Sequence, residues 1–146
     1  MVSPFWAASR GSPFKYANSY LYDRIYCRGL SFIYNKNMRI WDIAPKKLCR
    51  NHLLGEHREL HAIWSILTKN KKGYSRHPET LRWKGKLAAL YLRHKMLIEE
   101  MKSRKYNHNS KLDYRLANGI KKQSAFVDSR KKQKQILRNK HCDCKV

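Results

Sequence analysis

Acidic residues, long apolar runs and familiar catalytic motifs are what this 146-residue sequence has least of. Only 10 residues are Asp or Glu, and the longest apolar run, residues 87–92, is far too short to cross a bilayer. No phosphate-binding glycine loop, no Gly-x-Ser-x-Gly elbow and no pair of zinc-ribbon cysteine motifs occurs. The sequence therefore gives no support to a membrane-spanning helix, a P-loop enzyme, an α/β-hydrolase or a zinc ribbon.

Positive charge is the feature present in greatest excess, with 33 Lys and Arg and a formal net charge of +23. Self-repulsion of this size is tolerated mainly when a polyanion neutralises it, so we expect nucleic acid as the partner. A basic protein on a membrane surface is the competing interpretation. It is weaker because no stretch separates a lysine-rich face from an apolar one. We therefore expect no membrane partner. We also expect the protein to be a monomer.

The cysteines, Cys27, Cys49, Cys142 and Cys144, are too scattered to suggest a disulfide framework, which favours a reducing compartment. The tail sequence His141-Cys142-Asp143-Cys144 offers soft metal ligands. A complete site needs four ligands, and no second pair is evident at a sensible spacing. We therefore expect residues 141–146 to form a disordered tail, with metal binding the lesser alternative, and we expect no cofactor.

Apolar periodicity predicts an all-α fold, a small single domain of about three helices. The first helix is expected over residues 45–68, because proline suits the first helical position. A clear apolar stripe at spacings of three and four predicts the second over residues 78–103, after a basic loop at 70–77. A weaker third helix is expected over residues 124–139.

Residues 1–37 form an irregular extension in which neither helical nor strand periodicity persists. One interpretation is an organelle-type targeting peptide, which typically contains Arg and Ser and few acids. The other is upstream sequence wrongly joined to the gene, with translation starting at Met38. We favour the second because the extension lacks a clear amphipathic face.

The run at residues 52–61 carries the strongest candidate site. On a helical wheel, five residues share one face: Cys49, Leu53, Leu60, Ile63 and Leu67. Glu56 lies on that face, and Glu59 lies beside it. His52, Glu56 and Glu59 can line one helix edge, with Arg58 flanking, and a half-buried carboxylate near cations is typical of acid/base chemistry. On spacing alone, a core helix with a surface ion-pair ladder is the favoured alternative.

His57 and His61 are four residues apart, so one metal ion could reach both imidazoles. Metalloproteases place Glu directly after the first His, whereas Arg58 stands there in this sequence. A third ligand is not apparent, and His94 reads as a core histidine in the apolar stripe. We therefore expect no metal site and rank a metal-dependent hydrolase low.

A family resemblance favours a catalytic site in residues 52–61 over a core helix with a surface ion-pair ladder. The residues Arg39-Ile40, Asn51-His52-Leu53, Glu56 and Arg58-Glu59-Leu60 resemble the pattern of the pyrimidine-dimer DNA glycosylase/AP lyase family, which reads R-I, then Q-H-L, then A-E-Y-R-E-L. The resemblance runs from Met38 to about residue 107, which supports a start at Met38. It implies a glycosylase-like helical domain over residues 38–140.

The resemblance also implies a mechanism in which the nucleophile is the N-terminal α-amine. With a pKa of about 7.7–8.0, against about 10.4 for lysine, this amine is more often unprotonated at neutral pH. It attacks the sugar C1′, expels the base and leaves an imine, and β-elimination then breaks the strand. Glu59 matches the family's catalytic glutamate. Met38 would supply the amine if it were the mature N-terminus, because methionine removal requires a small second residue and Arg39 is bulky.

The resemblance assigns phosphate contacts to Arg39 and Arg58 and a place in the lesion pocket to His52. Further basic residues have positions suited to a DNA backbone. They are Lys71, Lys72 and Arg76 in the basic loop, Lys84 on the second helix, and Arg130, Lys134 and Arg138 at intervals of four on the third. For the loop and the third helix, solvated charge is the alternative, and for the third helix so is disorder without DNA.

The sequence departs from the family at His61, where the pattern has Pro, and in its Cys-containing rather than aromatic-rich C-terminus. We expect a DNA repair glycosylase/AP lyase that acts on pyrimidine dimers or related lesions in damaged double-stranded DNA. A non-catalytic nucleic-acid-binding protein is the main alternative. We expect this protein to be cytoplasmic or nucleoid-associated, or to enter an organelle if residues 1–37 are a targeting peptide.

Overall fold

A computed structural model describes residues 38–146, and the interpretations of residues 1–37 lie outside the described residues. Within residues 38–146 the fold is all-α, as predicted, and contains no strand. The helices are α1 (Arg50–Thr68), α2 (Pro78–Leu81), α3 (Leu87–Ser103) and α4 (Arg130–Arg138). A 3₁₀ turn at Pro45–Lys47 precedes α1, and a second one at Tyr114–Leu116 lies between α3 and α4. None of the described helices has the length and apolarity needed to span a bilayer.

The first predicted helix ends at Thr68 as expected but begins later than expected. Pro45 opens only a 3₁₀ turn, because Leu48 and Cys49 adopt extended conformations with ψ of 139° and 171°. The backbone N–H of Leu53 then donates to the carbonyl of Cys49, which starts the α-helical pattern. Cys49 is therefore the N-cap of α1 rather than a residue of its interior.

The second predicted helix is interrupted, so the prediction of one helix over residues 78–103 was wrong. A turn at residues 82–86 separates α2 from α3, and Gly85 within it has φ of +72°. A later segment stabilises this break, since the N–H of Ile120 donates to Gly85 and the N–H groups of Ala88 and Ala89 donate to the carbonyls of Asn118 and Ile120. Trp83 is buried although it lies in the turn.

The third predicted helix is shorter than expected and starts at Arg130. Ser129 caps it through a hydrogen bond from the N–H of Lys132 to the Ser129 side chain. Phe126 and Val127 remain exposed before the helix, and the main apolar anchor is Leu137, which is fully buried.

The tail predicted to be disordered packs against the start of α1. The N–H of Lys145 donates to the carbonyl of Lys47 at 2.8 Å, and the N–H of Cys49 lies 3.1 Å from Cys144 Sγ. Val146 and Cys144 pack at the edge of the apolar core.

The core lies mainly between α1 and α3. Its fully buried side chains come from both helices and from the flanking segments: Ile40, Leu48, Leu53, Leu60, Ile63, Leu90, Leu97 and Leu137. Each leucine or isoleucine buried in this way contributes about 1.5–3 kcal/mol. The apolar stripe on α1 is confirmed at Leu53, Leu60 and Ile63, which are buried, whereas Cys49 and Leu67 are half-buried.

Candidate functional site

Glu56 lies on the buried face of α1, as the helical wheel predicts, with 1% of its surface exposed. Arg93 of α3 binds it in a bidentate ion pair, with Nε 2.7 Å from Oε1 and Nη2 3.0 Å from Oε2. Burial raises the pKa of Glu56 to about 7, and Arg93 opposes that rise. Arg93 also donates to the carbonyl of Ile43. Glu56 is enclosed, so its carboxylate joins helices rather than meeting a substrate.

Glu59 and Arg58 lie on the more open flank of α1. Arg58 is exposed and Glu59 is half-buried. Gly55, one turn before Glu59, has nothing within 4 Å of the position where a Cβ would stand. The helix surface at Gly55, one turn from Glu59, therefore has open space.

Arg39 and His52 are brought together through one indole ring. The Arg39 guanidinium lies 5.2 Å from the centre of the Trp41 ring, and the His52 ring meets the same indole edge-on at 5.7 Å. Arg39 also forms an ion pair with Asp128 at 2.7 Å. Met38, next in the chain, is buried and accepts a hydrogen bond from Thr80 Oγ1 at its sulfur.

The remaining predicted DNA-binding residues lie on the surface. Lys71, Lys72, Arg76, Lys84, Arg130 and Arg138 are exposed, and Lys134 is half-exposed. Arg130 stacks over Phe126 at 5.5 Å, and Arg138 donates to the carbonyl of Val146. Tyr74 stands in the basic loop with half of its surface exposed. Most acidic residues of the described chain are bound in ion pairs with arginines, so the exposed cations dominate the outer surface.

Four histidines converge where α1 meets α3, and they form what we call the histidine cluster: His57 and His61 of α1, His94 of α3 and His108 from the segment after it. Their Nε2 atoms are 3.3 Å apart for His57 and His61, 3.0 Å for His61 and His94, and 3.0 Å for His57 and His108. Burial, and after it the neighbouring imidazoles, lower the pKa of His57 to about 4 and that of His94 to about 3. The imidazoles of His57 and His94 are thus uncharged at neutral pH.

A second group, the cysteine–histidine cluster, lies at the start of α1. It consists of Cys49, His52, Cys142 and Cys144, whose ligating atoms all lie within 4.8 Å of one another. His52 Nδ1 is 3.1 Å from Cys49 Sγ and 3.4 Å from Cys144 Sγ. The tail thus supplies one half of this group and α1 supplies the other.

The sequence analysis considered one pair of ligands from each group, found no further ligands for either, and so did not predict the complete groups. The signals that could have found them were the His57/His61 spacing, the Cys142-x-Cys144 spacing and the Cys49-x-x-His52 spacing. Each is only half of a set, and the two halves are separated by at least 33 residues in the chain.

Comparison with known proteins gives one finding. A family model described as pyrimidine dimer DNA glycosylase matches residues 38–114, just over half of the chain. The matched range begins at Met38 and contains Arg39, His52, Arg58 and Glu59. Comparison with the curated proteins and with the solved structures gave no significant match.

Proposed function

The chain belongs to the pyrimidine dimer DNA glycosylase family, and from that membership we propose that it excises pyrimidine dimers or related lesions from double-stranded DNA and then cleaves the strand as an AP lyase. DNA repair by a glycosylase follows from the family itself. The proposal of lesion excision followed by AP-lyase cleavage rests on one observation, which is that the family match begins at Met38 and includes Glu59.

The proposed nucleophile is the α-amine of Met38 in a chain that begins at that residue. The unprotonated amine attacks the sugar C1′, the C1′–N bond breaks, and the departing base takes a proton. The C1′–O4′ bond of the sugar ring then breaks, O4′ takes the second proton of the amine, and the covalent product is an imine between the Met38 nitrogen and C1′. In the 146-residue chain this nitrogen belongs to a peptide bond and has no nucleophilic lone pair, so the proposal requires processing or initiation at Met38.

Glu59 is proposed as the catalytic carboxylate. It would stabilise the cationic sugar and then take a proton from C2′, after which the bond between C3′ and its phosphate oxygen breaks. Water would finally hydrolyse the imine and release the amine. The half-buried position of Glu59 and the open space beside Gly55 support this role, because a base must be reachable and partly desolvated.

Phosphate recognition is proposed for Arg39 and Arg58 and for the exposed residues Lys71, Lys72, Arg76, Lys84, Arg130, Lys134 and Arg138. Their exposure and the excess of positive charge support this. His52 is proposed to face the lesion pocket through the ring nitrogen that is turned away from the cysteines. Reaching a base within a duplex requires bending and base extrusion, which these contacts would stabilise.

The test is borohydride trapping on a duplex with one abasic site, which reduces the imine to a permanent adduct. We expect an adduct from protein that begins at Met38 and none from the 146-residue chain. Glu59→Gln should lower strand cleavage by roughly 100-fold or more. Glu99→Gln, an exposed glutamate of α3, is the matched control and should cleave normally.

Two results would overturn the proposal. DNA binding without any adduct from the Met38-initiated protein would leave the non-catalytic binding protein as the function. An adduct that forms equally well from the 146-residue chain would mean that another amine is the nucleophile. A metal-dependent hydrolase would be recognised by its product, a 3′-hydroxyl in place of the unsaturated aldehyde that β-elimination leaves.

A further inference from the structure

The cysteine–histidine cluster has the composition and dimensions of a zinc site. Tetrahedral zinc has bonds of about 2.3 Å to sulfur and about 2.0–2.1 Å to nitrogen, so its ligand atoms stand about 3.3–3.8 Å from one another. The distances from His52 Nδ1 to Cys49 Sγ and Cys144 Sγ, 3.1 and 3.4 Å, are close to this spacing. All four ligating atoms, including Cys142 Sγ, lie within 4.8 Å.

We propose that Cys49, His52, Cys142 and Cys144 bind a structural zinc ion. Three thiolates and one imidazole are a soft set that selects zinc over magnesium or calcium. The N–H of Cys49 points at Cys144 Sγ from 3.1 Å, which is the type of outer hydrogen bond that supports a metal-bound thiolate. Four protein ligands leave no position for a reactive water, so this site is structural.

The zinc ion would fix the C-terminal tail to the N-cap of α1. Cys49 and Cys144 are 95 residues apart, and the adjacent hydrogen bond from Lys145 to Lys47 runs between the same two segments. A cross-link that closes so long a loop removes much of the conformational freedom of the unfolded chain. The tail is too short and too polar to be held there by apolar burial alone.

The histidine cluster carries a second and independent inference. A ring nitrogen has either one hydrogen or one lone pair in the ring plane, so it makes one good hydrogen bond. His57 Nε2 has two imidazole nitrogens within 3.3 Å, from His61 and His108, and His61 Nε2 also has two, from His57 and His94. Hydrogen bonds between the rings cannot satisfy all three contacts at once.

A shared cation satisfies them, because each nitrogen then directs its lone pair at the same point. The separations of 3.0–3.3 Å are close to the roughly 3.3 Å edge of a tetrahedron of imidazole nitrogens around zinc. We infer that this cluster binds a second divalent transition-metal ion, with zinc as the expected occupant. Because four histidines fill the tetrahedron, the ion would link α1, α3 and residue 108 rather than activate water.

Metal content tests both sites on the full chain purified under reducing conditions from zinc-supplemented medium. We expect two zinc ions per chain. Cys144→Ser should reduce the content to one by emptying the cysteine–histidine cluster, and His108→Gln should reduce it to one by emptying the histidine cluster. His141→Gln, an exposed histidine that neighbours Cys142 but belongs to neither group, is the matched control and should keep both ions.

Cobalt substitution separates the sites even if a variant folds poorly, since only thiolate ligands give intense near-ultraviolet charge-transfer absorption. That absorption should survive His108→Gln and disappear in Cys144→Ser. A chain that takes up no zinc or cobalt overturns both inferences. If the wild-type chain holds one ion and Cys144→Ser keeps it, the inference for the cysteine–histidine cluster is overturned. If His108→Gln keeps it, the inference for the histidine cluster is overturned. Glu59→Gln should keep both ions, so these results do not depend on the proposed repair activity.

Discussion

Arg93 of α3 and Glu56 of α1 form a bidentate ion pair inside the protein, with the two guanidinium–carboxylate contacts at 2.7 and 3.0 Å. The pair joins the two longest helices, and Arg93 extends the link by donating to the carbonyl of Ile43. It lies one helical turn before Glu59, on the face of α1 that is turned toward the core. The two glutamates of this helix differ in environment, since Glu56 is enclosed and bound to arginine, whereas Glu59 is half-buried.

Replacing Glu56 by Gln should destabilise the protein strongly. The substitution keeps the shape but removes the charge, which leaves Arg93 largely buried with no carboxylate of its own. Breaking a buried pair in this way costs about 3–5 kcal/mol. Urea denaturation with zinc present measures the loss, and Asp113→Asn, which breaks the exposed pair with Arg115, should leave stability unchanged. A loss under about 1 kcal/mol would mean that the carbonyl of Ile43 is enough to satisfy Arg93.

Gly119 should tolerate no side chain. Its φ is +81°, and an added Cβ would stand 2.2 Å from the carbonyl oxygen of Gly85. We expect Gly119→Ala to cost about 3 kcal/mol from strain and overlap together. Gly85→Ala is the matched control, because Gly85 has a similar φ of +72° but open space around it, so only about 1 kcal/mol of strain applies. Equal losses for the two variants, measured by thermal or urea unfolding, would contradict the close approach.

Asp128 should contribute stability that depends on pH. Hydrogen bonds from Lys132 and Arg39 hold the pKa of this carboxyl below its ordinary value of 3.8. A lowered pKa in the folded state means that the contribution is fully present above pH 3.8 and is lost as the pH falls further. Asp128→Asn should therefore be about 1 kcal/mol less stable than the wild type at neutral pH. The gap should close in strong acid, and a gap that stays constant at every pH would rule out an electrostatic origin.

Arg58→Ala should weaken binding to damaged DNA and flatten its dependence on salt. Each neutralised phosphate contributes about 0.9 to the slope of log affinity against log salt concentration, so the slope should fall by about one. Fluorescence anisotropy over a salt series measures it. Arg115→Ala, which removes an exposed arginine bound to Asp113, is the control, and its slope should match that of the wild type. A slope for Arg58→Ala that equals the wild-type value would remove Arg58 from the phosphate contacts.

Local periodicity predicted those parts of the fold that depend on one helix and its core. The apolar stripe of α1 placed Leu53, Leu60 and Glu56 on the buried face, and its end at Thr68 was also predicted. The family motif likewise predicts roles for Glu59 and Arg58 because its residues are close in sequence, and these roles stay predictions. Because the motif covers only neighbouring residues, it does not indicate Arg93, the partner of Glu56, which lies 37 residues further on.

The parts that sequence reasoning missed depend on contacts between distant segments. The interruption at residues 82–86 is stabilised by residues 118–120, whose sequence looks irregular by itself. His94 is buried, as predicted for a core histidine, but only tertiary packing places it 3.0 Å from His61. The prediction of a disordered C-terminal tail is wrong because nothing in its six residues indicates Lys47 and Cys49 as neighbours.

The hydrogen bonds from Ala88 and Ala89 to the carbonyls of Asn118 and Ile120 have one consequence for how the protein meets an anion. The amino end of a helix normally offers unbound N–H groups and a positive pole to a phosphate. At α3 the N–H groups of Ala88 and Ala89 already donate to carbonyl oxygens. These oxygens would repel a phosphate, so the N–H groups cannot bind it. Attraction for a DNA strand near this end of α3 must then come from charged side chains such as Lys84, and it will weaken when those charges are removed.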